Sequence, residues 1–143
     1  MGMYENFQTD KKVEVDGREV DFGDFRVTIA RAGGANKAYQ KALEAKTKPL
    51  QRVIAVDALD NEKAMDLLKE LFSEHIVRNW EVKNEDDEWQ QGIEGPNGEV
   101  LEFSQANVLA TFRALPAVWE LIHKEANAIQ IFKSQLREQL GED

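Results

Sequence analysis

The sequence contains no cysteine, which excludes a disulfide framework, a thiolate metal site and a cysteine nucleophile. Only two histidines are present, His75 and His123. Neither is followed by a second histidine four residues on with a glutamate between, as a zinc-hydrolase helix requires. Long apolar runs are missing too: nothing approaches the ~20 residues of a membrane span. The opening Met1-Gly2-Met3-Tyr4-Glu5-Asn6 lacks a basic start leading into an apolar stretch, so no signal peptide is expected. Phe7 stands where a myristoylation motif wants Ser or Thr. A concentrated positive face is not apparent either. The formal charge is −9, and Lys37, Lys41, Lys46, Lys48, Lys63, Lys69 and Lys133 interrupt the acids. Direct binding to nucleic acid, which needs clustered Lys and Arg, is therefore not expected.

What is present suits one domain over residues 1–143, since 42% of the residues are hydrophobic and domains commonly run about 100–150 residues. Residues 1–10 read as a loose N-terminus. Lys12-Val13-Glu14-Val15 alternates, Asp16-Gly17 is a favoured two-residue turn, and Glu19-Val20-Asp21-Phe22 alternates again. Phe25, Val27 and Ile29 continue the period, with Gly23-Asp24 as a turn or bulge. Gly33-Gly34 breaks the strand. Two glycines there suggest a phosphate cradle, but no Gly-Lys-Ser/Thr follows, so a plain strand-to-helix turn is expected.

Helical patterning dominates beyond that turn. Asn36 to about Lys46 forms a first helix, which Lys48-Pro49 ends. Leu50 to Val56 suits either helix or strand. A helix capped by Asp57 or Asp60 runs to about Asn79, with Ala64, Leu68, Leu71 and Ile76 on one side. Residues 83–98 form an acidic loop, part of which folds back as a hairpin through Pro96-Asn97-Gly98. Its run Glu85-Asp86-Asp87-Glu88 lacks the alternating ligands and central Gly of a calcium loop and reads as solvated. Ser104 caps a new helix, with Phe103 placed to staple Val108. From Pro116 to Leu140 nothing breaks helicity, giving a rod of roughly 36 Å at 1.5 Å per residue. Trp80 and Trp119 are assigned to the core; the role of Trp89 is open. The expected fold is α+β, an N-terminal antiparallel β-hairpin or meander packed on a mainly α-helical body with a long C-terminal helix.

Reactive chemistry is sparse. With no activated nucleophile beside a base, no catalytic, cofactor-binding or metal-ligating residue is assigned, and an enzyme is not expected.

Three pieces, in order, resemble the tail assembly chaperones of phages with long non-contractile tails. They are the strand, glycine turn and helix start from Phe25 to Tyr39; Glu74-His75-Ile76-Val77-Arg78-Asn79-Trp80-Glu81-Val82 with the later Asn97-Gly98-Glu99 and Phe103-Ser104-Gln105-Ala106-Asn107; and the closing helix with Glu125-Ala126-Asn127. The apparent insertion Asp87 to Ile93 and Glu102 before the aromatic depart from that pattern. The resemblance implies a non-enzymatic protein of the bacterial host cytoplasm, not retained in the mature virion. It implies binding to the tape measure protein, which is kept soluble, and help in recruiting the tail tube protein. A frameshifted longer form of the same chain is a further implied partner, as is assembly with copies of itself; neither cofactor, membrane nor nucleic acid is. The amphipathic terminal helix would bind the partner through Trp119, Ile122, Ile129, Phe132 and Leu136. Competing readings are an acidic DNA mimic, disfavoured by the interspersed lysines, and a small regulatory adaptor.

Overall fold

A computed structural model describes residues 2–4, 8–56 and 60–133. A short helix α1 (Lys11–Asp16) precedes strands β1 (Arg18–Asp21) and β2 (Phe25–Ile29). Helix α2 (Lys37–Thr47), a 3-10 turn (Lys48–Leu50) and α3 (Gln51–Ala55) follow, then the longer α4 (Asn61–His75). Strand β3 (Val77–Lys83) leads into β4 (Trp89–Gln91) and the small hairpin β5 (Ile93–Glu94) and β6 (Val100–Leu101). Helices α5 (Gln105–Ala114) and α6 (Pro116–Asn127) and a second 3-10 turn (Ile129–Phe132) complete the described chain.

The expected architecture is overturned in three places. The N-terminal hairpin is the first. Lys11–Asp16 is a helix, because Asp10 caps it by accepting from Lys12 and Val13 N–H and Gly17, at φ +99°, closes it. The Asp16-Gly17 pair is thus a helix end and not a hairpin turn. Alternation misled because the buried residue of this stretch is Glu14, at 2% exposure, while Val15 is 38% exposed. The true hairpin joins β1 and β2 through Phe22–Phe25.

The second correction concerns the sheet. It is a central four-stranded antiparallel layer in the order β1-β2-β3-β4, drawing half its strands from residues 77–91. The helix expected to reach Asn79 stops at His75, and Trp80 lies mid-strand. Val77 and Trp80, three apart, are both buried, which looks helical. A bulge produces that spacing: Thr28 pairs with Asn79 and Ile29 with Val77, leaving Arg78 as the extra residue. The acidic 83–98 stretch is largely the β4 strand and the β5–β6 hairpin, the latter closed by Gly98 N–H donating to Gly95 C=O.

The long C-terminal helix is the third. Helix α6 has 12 residues, about 18 Å. Ala128 then turns extended, at φ −84° and ψ 107°. Tertiary contacts hold the chain in that course. Phe132 is fully buried, its C=O accepts from Asp10 N–H, and Lys133 bridges to Thr9. So Thr9 and Asp10, expected to be loose, are paired with the tail. Leu136, Leu140 and Gly141 lie outside the described residues, as does Asp57; Asp60 caps α4.

The core sits between the inner sheet face and the helices. Val27, Ile29, Trp80 and Val82 meet Leu71 and Phe72 of α4, Val108 and Phe112 of α5, and Trp119 and Ile122 of α6. Rings stack in a continuous run: Phe25 on Trp80 at 5.5 Å, Trp80 by Phe112 at 6.5 Å, Phe112 edge-on to Trp119 at 5.2 Å, Trp119 edge-on to Phe72 at 4.9 Å. Such pairs add about 0.5–1.5 kcal/mol each beyond area burial. Ser104 caps α5 by accepting from Asn107 N–H at 3.2 Å. Ser104→Ala is expected to cost about 1 kcal/mol in urea denaturation, and Ser104→Asp much less. An Asp variant no more stable than Ala would remove the cap from this account.

Candidate functional surface

The sequence-assigned partner residues do not form one exposed stripe. Trp119 is 5% exposed, Ile122 and Phe132 are fully buried, and only Ile129, at 41%, reaches solvent. Leu136 lies outside the described residues. Trp119 is held by Phe72, Phe112 and the imidazole of His123, which stacks on it at 5.1 Å. The apolar side of α6 is thus the protein's own core. The exposed apolar groups along this segment are Leu115, Leu121 and Ile129, at its start, middle and end. Leu115 and Leu121 follow no stripe that periodicity would single out.

The Gly33-Gly34 turn does enclose an anion, and the chain supplies it. The buried Glu14 carboxylate accepts from Thr9 Oγ1 at 2.7 Å, from the Arg31 guanidinium and from Ala35 N–H at 3.4 Å. Gly34, at φ +55°, brings its backbone so close that a Cβ there would collide with the Glu14 carboxylate and the Arg31 guanidinium. Burial pushes the Glu14 carboxyl up, but the hydrogen bonds from Thr9, Arg31 and Ala35 and the guanidinium charge together bring it below the ordinary carboxylate value. Sequence reading missed Glu14, since its local pattern marks it as a surface position. Beside this junction, the buried Asn36 caps α2 and donates to the C=O groups of Arg31 and His75, tying the start of α2 to the end of α4.

Trp89 is half-buried on the sheet face opposite the core. The Arg26 guanidinium lies 4.4 Å from its ring centroid and Lys83 Nζ 5.3 Å away, while Arg26 also donates to Glu81 at 2.6 Å. A third exposed feature is α3, of which every residue is exposed, including Val53 and Ile54; Val56 beyond it is 72% exposed. A shallow open depression lies along α4, lined among others by Met65, Asp66 and Lys69. Asp66 is engaged there by Arg113 of α5 through two bonds of 2.8 Å. Among the described residues, no cluster of His, Asp and Glu is grouped to hold a metal ion, and no helix is long and apolar enough to cross a membrane.

These features define a small domain of mixed helix and sheet with exposed apolar groups on α3 and around α6. A family model described as YdaY prophage protein matches residues 34–142, more than half of the chain, and the chain belongs to that family. It is therefore a phage-derived protein. No curated protein and no solved structure matches it.

Proposed function

We propose that this protein is a non-enzymatic tail assembly chaperone of its prophage, acting in the host cytoplasm on helical segments of the tape measure protein. Membership of a prophage family supports the phage setting, and the order of the Trp80, Asn97-Gly98 and Phe103-Ser104 segments supports the chaperone reading. The observation that carries a binding role is the exposure of Leu121 on the terminal helix and of Leu115 and Ile129 just before and after it, at 43%, 51% and 41%. Apolar side chains on an otherwise charged surface give an amphipathic helix something to pack on. The net charge of −9 keeps such a surface soluble. Tail tube recruitment and a frameshifted longer form belong to the same reading.

Co-expression with tape measure fragments from the same genome tests it. Leu121→Glu with Ile129→Glu is expected to melt near wild type, since exposed substitutions usually change stability by about 0.5 kcal/mol or less, yet to leave the fragments insoluble. Phe132→Ala is expected to cost roughly 3–5 kcal/mol, as truncating a buried Phe does, and still to bind below its melting point. Failure of the unaltered protein, short or extended, to engage any tape measure fragment would end the chaperone reading.

A further inference from the structure

Helix α1 is closed onto the body by polar contacts. Its only fully buried side chain is that of Glu14; Val13 is half-buried and Val15 exposed. Glu14 is also its grip. The carboxylate accepts from Thr9, Arg31 and Ala35, and the Glu14 C=O accepts from Arg31 N–H at 2.8 Å. Just ahead of the helix, Asp10 N–H donates to Phe132 C=O at 2.8 Å, and Thr9 bridges to Lys133. Phe132 is fully buried, yet it stands outside the cluster of buried residues around Trp80 and Phe112. Residues 9–16 and 129–133 thus cover each other at the margin of the core, on the same 3-10 turn as the exposed Ile129.

We propose that residues 9–16 are a clasp over the 129–133 segment, that the clasp opens as a unit while the rest of the fold stays intact, and that the partner engages the open form. A unit that buries few apolar side chains opens at lower free energy than one that shares the core. The sheet does not depend on the clasp, because β2 keeps β1 and β3 on its two sides. Phe132 is the catch, since its burial and its C=O hold the segment down. Ile129 is the contact, which opening frees from the body. Affinity is then reduced by the fraction of molecules that are closed, so holding the clasp shut weakens binding. The binding half of this proposal rests on the tape measure reading above; the opening itself does not.

Hydrogen exchange on the whole chain tests the opening through two adjacent amides. Ala30 N–H donates to Ile76 C=O in the core and Arg31 N–H to Glu14 C=O in the clasp, both at 2.8 Å. After correction for intrinsic rates, Arg31 and Asp10 are expected to exchange at least about tenfold faster than Ala30. Equal protection of all three would mean that the clasp opens only when the domain unfolds, and would overturn the proposal. A reversible lock tests the consequence. Thr9 and Lys133 are antiparallel bridge partners, a pairing that sets Cα atoms about 4.5–5.5 Å apart, within reach of a disulfide. The chain has no cysteine of its own, so Thr9→Cys with Lys133→Cys introduces a single pair. Oxidised, this variant is expected to protect Asp10 more strongly and to bind tape measure fragments at least about tenfold more weakly than the same protein reduced. Thermal melts check that both forms are folded. An oxidised form that binds as tightly as the reduced one would overturn the clasp. Fragments bound by neither the wild type nor either form would end the chaperone reading and the binding half with it, while the exchange rates still decide whether the clasp opens.

Discussion

A chain beginning at Gly34, where the family match starts, is expected not to fold. Residues 2–33 are outside that match, yet they carry the strand on which the sheet depends. Strand β2 lies between β1 and β3 and pairs with β3 from Val82 to Val77. Without it β3 keeps three register pairs, those with β4. Val27 and Ile29, both fully buried, leave the core with it, and each such side chain contributes about 1.5–3 kcal/mol. Trp80 and Val82 lose the strand beside them as well. The Val27 and Ile29 side chains alone take about 3–6 kcal/mol from a whole-domain stability of roughly 5–15 kcal/mol, before the lost β2–β3 ladder and the uncovered Trp80 and Val82 are counted. Far-UV circular dichroism of residues 34–143 is expected to show no cooperative melt. A sharp transition within a few degrees of the full chain would show that the matched region is self-sufficient.

Arg31→Ala is the point substitution expected to have the largest effect outside the ring-packed core. It leaves the Glu14 carboxylate, 2% exposed, without its counter-charge, and breaking such a pair costs about 3–5 kcal/mol. The Arg31 side chain is 24% exposed, which places the loss toward the lower end. The melting temperature should fall by roughly 10 °C. Acidity gives a second measure. Glu14 titrates below its ordinary value of 4.5 in the folded protein, so its contribution is complete above the unfolded value. It is lost as pH falls through the lower, folded one. Urea midpoints of wild type and Glu14→Gln should differ most near pH 7 and converge as the medium becomes acidic. A gap that stays constant from pH 7 to pH 3 would mean that the carboxylate charge does not support the fold.

Sequence reading located several elements because their signals are local. Asp60 and Ser104, read as caps, each cap a helix in the structure, and the helix read from Asn36 begins there; a cap needs only a side-chain oxygen and the next turn's N–H groups. The Pro96-Asn97-Gly98 hairpin rests on a glycine with φ +81°, and Trp80 and Trp119 are buried as their size implies. The proposed partner surface was less legible. Ile122 and Phe132 satisfy an amphipathic pattern equally well whether the apolar side meets a partner or the protein's own sheet. Helix α6 packs against β2, which brings that side inward and leaves Leu115, Leu121 and Ile129 as the exposed large apolar groups of this segment.

Composition by itself determined that no thiol chemistry operates here, and the local patterns set most helix starts. Three matters were settled by tertiary contact alone. The Lys11–Asp16 helix, capped locally by Asp10 and Gly17, holds the Glu14 carboxylate inside because Arg31, 17 residues on, satisfies it. Residues after His75 are strand because β2 offers a partner edge and a bulge sets Val77 and Trp80 on the same side. The terminal helix stops at Asn127 because burying Phe132 and pairing Lys133 with Thr9 require the chain to turn. Each is a contact between segments far apart in the chain. A local period cannot encode such a contact, because alternation and helical spacing report which side of an element is apolar and not what that side will meet.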